Sequence, residues 1–372
     1  MNIDISKKDE IVMRLVHYFI TEEDYQPIIV NGVKNEIWLE NLDAPYKVIR
    51  INSNYIHNID QLKFDNFKIK NVTRQIKKKT FSFNMKTLNI LLDLNDDVEI
   101  SQGKNIDNFK VDSLKDVRKD DGLGGIFPKL KTMTLNKGDD FETILNLTAD
   151  ISKKNEKENE EYEKVFAPKK IVFTYALIAI NVIMYILEVI YPKLVVDGMI
   201  LDPVAVRAGE YYRLFTSMFL HADIIHLGFN MYALYVVGKE VENYLGKEKF
   251  LLIYFISGID GSLLSCMGNH YSLGASGAIF GLFGALLYFG YYYRLYFGSV
   301  LIRQILPVIL VNLLIGFTIP GIDSAAHIGG LFGGIFSCMA LGVSDKKNAN
   351  RLNGLVITLI YLGVLIYLVF LT

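Results

Sequence analysis

The most constraining feature of this sequence is a series of seven apolar stretches in its second half. A membrane-spanning helix needs roughly 20 mostly apolar residues. Stretches near that length occur at 171–191, 224–238, 250–267, 274–293, 301–318, 325–343 and 353–371. Of the 372 residues, 51% are hydrophobic, and the excess lies after residue 165. The sequence therefore predicts an all-α polytopic membrane domain over residues 169–372, with seven transmembrane helices.

The first part of the chain has the composition of a soluble protein. Residues 8–22 show helical spacing, and two short alternating segments flank Asn31-Gly32, a hairpin signal. Strands are predicted at 46–51 and 88–94, and a basic helix at 56–80. We therefore expect a small soluble α/β domain at 1–150. Residues 151–168 are highly charged, which either a solvated helix or a linker explains.

Lysine and arginine in the short loops predict the orientation of the membrane domain, because cytoplasmic loops carry an excess of both. One set of loops holds ten of these residues and the opposite set three: Lys193, Arg207 and Arg213. The amino terminus is then cytoplasmic and the carboxyl terminus, after seven spans, extracellular, in the plasma membrane. The segment Ile11–Ile20 is too short, and too interrupted by charge, for a signal peptide.

Composition also excludes some classes of protein. The net charge of −1 gives no field that would attract nucleic acid. The two cysteines, Cys266 and Cys338, both lie in apolar stretches, so no disulfide framework is expected.

Four polar residues lie at a common predicted depth. His226 and Asn230 begin the second span, Ser276 the fourth and His327 the sixth. All three spans run from outside to inside, so these residues share a level just below the outer surface. Polar side chains are costly in hydrocarbon and are rarely found there without a role. We therefore expect them to meet.

The four residues suit a serine hydrolase. Ser276 is the predicted nucleophile and His327 its general base, since a hydroxyl needs a base to become a strong nucleophile. Asn230, His226 and the Ser276 backbone N–H would donate hydrogen bonds to an oxyanion. Phe280, one turn below Ser276, would pack on the His327 imidazole. Asp323 is the only nearby carboxylate, and whether it or His221 assists stays open.

Glycines predict how the two helices approach each other. Gly274, Gly277, Gly281 and Gly284 recur on one face of the fourth span, and Gly330 and Gly334 follow His327 on one face of the sixth. Small faces let helix backbones come close in membranes. Such an approach would bring Ser276 within reach of His327.

Other interpretations of these patterns exist. Each motif alone is also typical of helix packing. A proton-coupled transporter using His226 and His327 is disfavoured, because we find no carboxylate near the centre of a span and no internal repeat. In the soluble domain, the acidic residues Asp93, Asp96, Asp97 and Glu99 fit either a cation site or a solvated turn. Lys77–Lys79 fit either contact with anionic lipid or a solvated face.

The motifs resemble those of the rhomboid family of intramembrane serine proteases. The matching elements are Gly274-Ala275-Ser276-Gly277 with Phe280-Gly281, Ala326-His327 with Gly330 and Gly334, and His221, His226 and Asn230 with Glu242 further along. Gly209–Leu214 is similar to the end of the family's first loop, with Tyr212 where a tryptophan often stands. The similarity covers roughly residues 168–372.

The resemblance implies a six-helix rhomboid bundle plus one extra carboxy-terminal helix. It implies hydrolysis of a peptide bond in or near the transmembrane segment of single-span membrane proteins, without metal or cofactor. The loop 191–220 would lie partly in the membrane, and span 301–318 would form a lateral gate. The soluble domain is similar to the cytosolic extension of some bacterial rhomboids, with an unknown partner. A proteolytically silent binder of membrane helices is the alternative.

Overall fold

The computed structural model describes residues 7–82, 84–100, 102–119, 122–132, 140–268, 270–343 and 350–371. The chain forms two compact units, Met1–Glu161 and Tyr162–Thr372. The first is a small α/β domain and the second is built of helices.

The first unit is built on a five-stranded mixed sheet with its strands in sequence order. The strands are β1 Gln26–Ile28, β2 Glu36–Glu40, β3 Val48–Asn52, β4 Thr87–Leu91 and β5 Ile106–Lys110. The first three pair antiparallel, as a hairpin and a short turn allow, and the last three pair parallel. Parallel neighbours need a crossover connection, which a long helix supplies between β3 and β4.

Helices cover both faces of this sheet. The helices are α1 Lys7–Thr21, α2 Ile59–Thr80, α3 Leu114–Val117, α4 Leu123–Ile126 and α5 Asp140–Phe166, with a 3₁₀ turn at Pro128–Thr132. Leu15 and Phe19 of α1 join a core that includes Ile49 and Ile90 of the sheet. Side chains alternate along a strand, so the intervening residue Arg50 lies on the opposite face, under α2.

Arg50 is the centre of a buried polar network on the α2 face. It is fully buried. Its Nε donates to Glu36 (3.0 Å), and its two terminal nitrogens donate to the Asp65 carboxylate of α2 at 2.5 and 2.7 Å. It also donates to the Asn89 amide oxygen (3.0 Å). A buried charge is tolerated when it is paired and hydrogen-bonded, and this network meets that condition.

The second unit contains the apolar helices. They are α6 Phe173–Ile190, α7 Pro192–Met199, α8 Pro203–Arg207, α9 Arg213–Thr216, α10 Ile224–Ala233, α11 Lys239–Leu245, α12 Lys247–Cys266, α13 Ser276–Tyr292, α14 Arg294–Val300, α15 Leu306–Thr318, α16 Ser324–Leu341 and α17 Asn350–Phe370. A 3₁₀ turn lies at Ser217–Phe219. A π-helical turn at Leu234–Gly238 joins α10 to α11, and another at Leu301–Ile305 joins α14 to α15.

Within the described residues, five helical stretches are long and apolar enough to cross a membrane. They are Phe173–Ile190, Lys247–Cys266, Arg294–Thr318, Ser324–Leu341 and Asn350–Phe370. The helix Ser276–Tyr292 is apolar but shorter. Together with the α/β domain, these helices make the chain a polytopic helical membrane protein, as the sequence predicts.

One boundary differs from the sequence prediction. The predicted spans end at 293 and begin again at 301, which leaves a loop to which Arg294 and Arg303 were assigned, but residues 294–300 form α14 and run on into α15. Phe297 of this segment is buried, with its ring packed against Phe289 and Tyr244 at 5.5 and 5.6 Å between centroids. Arg303 is exposed on the helix surface. A buried aromatic anchor therefore outweighed the charged residues that suggested a loop.

Helices α13 and α16 pack with their backbones in direct contact. A Cβ placed at Gly330 would lie 1.9 Å from the Gly277 carbonyl oxygen, and one at Gly334 would lie 1.9 Å from that of Gly281. No side chain fits at that distance. The glycines therefore allow the closest approach that two helices can make.

Glu242 of α11 caps the start of α6. Its carboxylate accepts hydrogen bonds from the backbone N–H groups of Val172, Phe173 and Thr174 (2.8–2.9 Å) and from the Thr174 hydroxyl (2.8 Å). The first N–H groups of a helix have no partner within it. Glu242 supplies one, and its negative charge lies at the positive end of the helix dipole.

Candidate active site

Ser276 is the first residue of α13, and a sharply turned segment leads into it. Gly274 has φ of +127°, a conformation that glycine adopts without strain, and its N–H donates to the Ser217 carbonyl (3.0 Å). Gly274 therefore lies before the helix, and the expectation that it joins the glycine face of this span is wrong. The chain turns there, so that Ser276 begins the helix with a free N–H end.

The His327 ring lies close to the start of α13. It stacks on Phe280 with centroids 4.2 Å apart and planes 12° from parallel. Phe280 and Ser276 are one helical turn apart and share a face. Next to them, a Cβ at Gly277 would lie 3.3 Å from the Ala326 carbonyl oxygen. The residues beside Ser276 and His327 therefore touch across the two helices.

The His327 imidazole has an unused nitrogen. Its Nδ1 is buried without a hydrogen-bond partner among the described residues, and no hydrogen bond joins the ring to Ser276 in that part of the chain. Asp323 is not the hydrogen-bond partner of this nitrogen. Its carboxylate accepts from the Ala326 N–H (2.9 Å), capping α16, and from the Ser265 hydroxyl. Among the residues that the structure describes, no carboxylate is hydrogen-bonded to the His327 ring.

His226 faces the segment that precedes Ser276. Its Nδ1 accepts a hydrogen bond from the Ala222 N–H (3.3 Å), so the neutral ring carries its proton on Nε2. A Cβ at Gly274 would lie 3.1 Å from that Nε2. The donor nitrogen of His226 therefore points at the backbone two residues before Ser276.

Asn230 lies one turn below His226 on α10. It is buried, and its amide nitrogen donates to the His226 carbonyl (3.0 Å). An amide nitrogen has two hydrogens, so a second hydrogen bond can be made. His226 and Asn230 together offer two donors from one helix face.

The structure adds Glu188, which the sequence analysis did not single out. This residue of α6 is buried, and its carboxylate accepts the N–H of His221 at 3.1 and 3.2 Å. The His221 ring lies 5.2 Å from that of His226. Glu188 thus holds the backbone from which the next residue, Ala222, donates to His226. A glutamate near the end of the first predicted span was the available signal.

Asp260 corrects a second expectation. The sequence analysis found no carboxylate near the centre of a span, yet Asp260 lies within α12 and is fully buried. Neither of its oxygens has a partner among the described residues. A Cβ at Gly333 would lie 2.4 Å from its Oδ2. Asp260 stands in the predicted span 250–267, so the lack of a carboxylate near the centre of a span does not count against a transporter.

Arg213, an arginine near the end of the first loop, is buried too. Arg213 donates from Nε to Glu210 (2.6 Å) and from one terminal nitrogen to the carbonyls of Asp197 and Ile200 (both 2.9 Å). It fastens the short helices of the segment 191–220 to one another. Tyr212, where a tryptophan is common in similar sequences, donates its hydroxyl to Glu210 (2.8 Å).

The acidic turn of the first unit is engaged by lysines. Asp93 pairs with Lys8 and Asp96 with Lys110. Within the described residues, no group of three or more histidine, cysteine or acidic side chains is arranged to hold a metal ion. Two of the four acidic side chains of this turn are therefore paired with lysines.

Comparison with known proteins agrees with the fold. Residues 208–344 match the Rhomboid domain family. The chain is 36% identical to the putative rhomboid protease YdcA of Bacillus subtilis over 145 residues, 38% of this chain and 72% of that protein. It is 28% identical to the rhomboid protease AarA of Providencia stuartii over 246 residues, 55% of this chain and 84% of that protein. The chain therefore belongs to the rhomboid family.

A longer match is to the rhomboid protease GluP of Bacillus subtilis, 31% identical over 341 residues. It covers 85% of this chain, which is more than the second unit alone can supply, so the similarity extends into the α/β domain. The chain spans 66% of the length of GluP and 43% of RHOMBOID-like protein 6 of Arabidopsis thaliana.

Proposed function

We propose that this chain is an intramembrane serine endopeptidase. It hydrolyses a peptide bond in or near the transmembrane segment of single-span membrane proteins, using Ser276 and His327 near the outer membrane face. The observation that carries the proposal is the stack of His327 on Phe280, one turn from Ser276, where α13 and α16 meet without side chains. The names of the rhomboid protease relatives support it.

Each step of the proposed reaction is assigned to particular residues. His327 takes the proton of the Ser276 hydroxyl as its oxygen attacks the scissile carbonyl carbon. The oxyanion accepts hydrogen bonds from the Ser276 N–H, His226 Nε2–H and Asn230 Nδ2–H. His327 then protonates the departing amine, which breaks the peptide bond. Water, deprotonated by His327, hydrolyses the acyl ester and restores Ser276.

The first test is cleavage of a single-span model substrate in reconstituted membranes. We expect the parent to cleave and Ser276→Ala to be inactive. Ser262→Ala is the matched control, because Ser262 lines the same small pocket as Ser276 but has no assigned role. Cleavage by Ser276→Ala at the parent rate contradicts the proposal. Binding of the substrate without cleavage by the parent favours the silent-binder alternative.

The second part of the proposal is topology. The amino terminus lies in the cytoplasm and the carboxyl terminus outside, because the lysine-rich and arginine-rich loops face inward. Cysteines introduced at Lys247 and at Lys193 should react with an impermeant thiol reagent from opposite sides of the membrane. Reaction of Lys247→Cys from outside intact cells contradicts this orientation.

A further inference from the structure

Helix α2 of the α/β domain presents an unusual outer face. Phe64 is 71% exposed and Phe67 is 58% exposed, one turn apart on the same side of the helix. Large aromatic side chains are seldom left this open, and adjacent ones mark an interaction surface.

Basic side chains surround this aromatic pair. Lys63, Arg74 and Lys78 stand toward the same side of the helix, and Lys70 and Lys77 stand at its edge; all five are exposed. No acidic residue occurs in α2 after Asp65, whose carboxylate points inward to Arg50. Among the described residues, Lys70, Arg74, Lys77 and Lys78 form no ion pair. The face therefore carries a concentrated positive charge beside two exposed rings.

The inner side of α2 packs against the rest of the α/β domain, and this packing leaves the outer face of the helix exposed. Leu62 and Ile69 are fully buried, and Lys68 and Asp65 bind Glu36 and Arg50 in the buried network. An Asn58 side chain caps the helix start. Fraying of a loose helix does not account for the exposure of Phe64 and Phe67.

We propose that this face of α2 binds the surface of a bilayer that contains anionic lipid. A basic helix with exposed aromatic residues lies in the headgroup region, where the rings enter the acyl boundary and the cations contact lipid phosphates. Clusters of lysine and arginine are attracted by the negative surface potential. The same chain carries helices that are long and apolar enough to span a bilayer.

The test uses the full chain reconstituted in vesicles, with a polarity-sensitive fluorophore at Asn71→Cys. Asn71 follows Phe67 by one turn on the same face, and the native cysteines are buried. We expect a blue shift in phosphatidylcholine vesicles that contain phosphatidylglycerol and none in phosphatidylcholine alone. High salt should reverse it. The control is Lys115→Cys on α3, which packs through Val117 against the opposite face of the sheet; its emission should not respond to lipid charge.

Two variants separate the contributions. The double variant Lys70→Glu, Arg74→Glu should lower the fraction of molecules whose α2 face is bound to the bilayer about tenfold or more. Each basic residue contributes to the electrostatic attraction. Phe64→Ser with Phe67→Ser should lower it while leaving the fold intact, since both rings are exposed.

A blue shift of equal size in phosphatidylcholine alone, insensitive to salt, would mean that protein covers this face, and the proposal would fail. Absence of any shift would also overturn it. Neither result bears on cleavage by Ser276.

Discussion

One buried polar cluster in each unit of the molecule differs from the other in how completely its hydrogen bonds are satisfied. In the α/β domain, Arg50 is fully buried and has partners in Glu36, Asp65 and Asn89. In the membrane unit, His327 Nδ1 and both ring nitrogens of His221 are buried without partners among the described residues. Buried polar atoms without partners are rare in native proteins and call for an explanation. A complete network stabilises a fold, whereas an incomplete one leaves atoms available to a substrate or to water.

The strongest test of this contrast is at the incomplete site. Ser276→Ala and His327→Ala should each lower cleavage by about 10³-fold or more. The melting temperature of Ser276→Ala should stay within a few degrees of the parent value, because its hydroxyl makes no hydrogen bond to His327. Cleavage assays and thermal unfolding on the same preparations check both. A large loss of stability in Ser276→Ala would assign the residue to packing.

The complete network should respond in the opposite way. Arg50→Met leaves the Glu36 and Asp65 carboxylates buried without their partner and should lower the free energy of unfolding of the α/β domain by about 3–5 kcal/mol. The control is Lys86→Met, which removes a half-exposed pair with Asp107 and should cost at most about 1 kcal/mol. Urea unfolding followed by Trp38 fluorescence measures both. Equal costs would mean that burial of Arg50 is energetically irrelevant.

Acid should weaken the same network. Burial raises the pKa of the Glu36 carboxyl, but hydrogen bonds from Arg50 and Lys68 outweigh this, and the pKa is about 2 against an ordinary 4.5. Since the folded value lies below the unfolded one, the stabilisation is present above about pH 4.5 and is lost as pH falls toward 2. It amounts to about 3 kcal/mol.

Trp38 reports this titration directly, because it is the only tryptophan of the chain and donates to Glu36 (3.0 Å). An unfolding free energy that does not change between pH 5 and pH 2 would contradict the assignment. Glu36→Gln should flatten the pH dependence.

Disrupting the glycine contact between α13 and α16 should have a smaller effect on the free energy of unfolding. Gly334→Ala places a methyl group 1.9 Å from the Gly281 carbonyl oxygen, so the helices must separate, at a cost of about 1–3 kcal/mol. Cleavage should fall with it, because His327 is carried by α16. The control is Gly363→Ala on α17, where nothing lies within 4 Å. If both variants behave alike in unfolding and cleavage assays, close backbone contact does not set the site.

The smallest predicted effect concerns Glu188. Glu188→Leu removes the acceptor of the His221 N–H and should lower kcat about tenfold, with less change in KM, because His226 loses its fixed orientation. Glu188→Gln keeps an acceptor oxygen and should recover most of the activity. In a His226→Ala background, Glu188→Leu should have no further effect on kcat. A full tenfold loss in that background would give Glu188 a merely structural role.

Features that show as local patterns along the chain could be predicted from the sequence. The apolar stretches of 18 or more residues are local patterns, so they were visible. The shared depth of His226, Asn230, Ser276 and His327 stays a prediction. Strand β5 was missed because Ile106–Lys110 is short and polar. Its Asn108 is buried and accepts a hydrogen bond from Asn89 of the neighbouring strand (2.8 Å), which no local pattern encodes.

Partners far apart in sequence were also beyond reach. The family resemblance singled out Glu242, but not that it caps a helix about 70 residues earlier in the chain. Asp260 could have been noticed, since it interrupts an apolar stretch; what surrounds it depends on how α12 meets α16. Residue type and spacing thus predict elements and depth, whereas pairing across elements requires the fold.

The π-helical turn at Leu234–Gly238 has a consequence for the phase of its helix. It adds a residue between the half that carries His226 and Asn230 and the half that carries Glu242. Each residue of an α-helix advances the direction of its side chains by about 100°. Removing one residue from this turn would rotate the two halves against each other by that angle, so that either the oxyanion donors or the cap of α6 would face the wrong way. The π-helical turn therefore sets the angle between the two halves, so that side chains of one continuous helix can face two different sites.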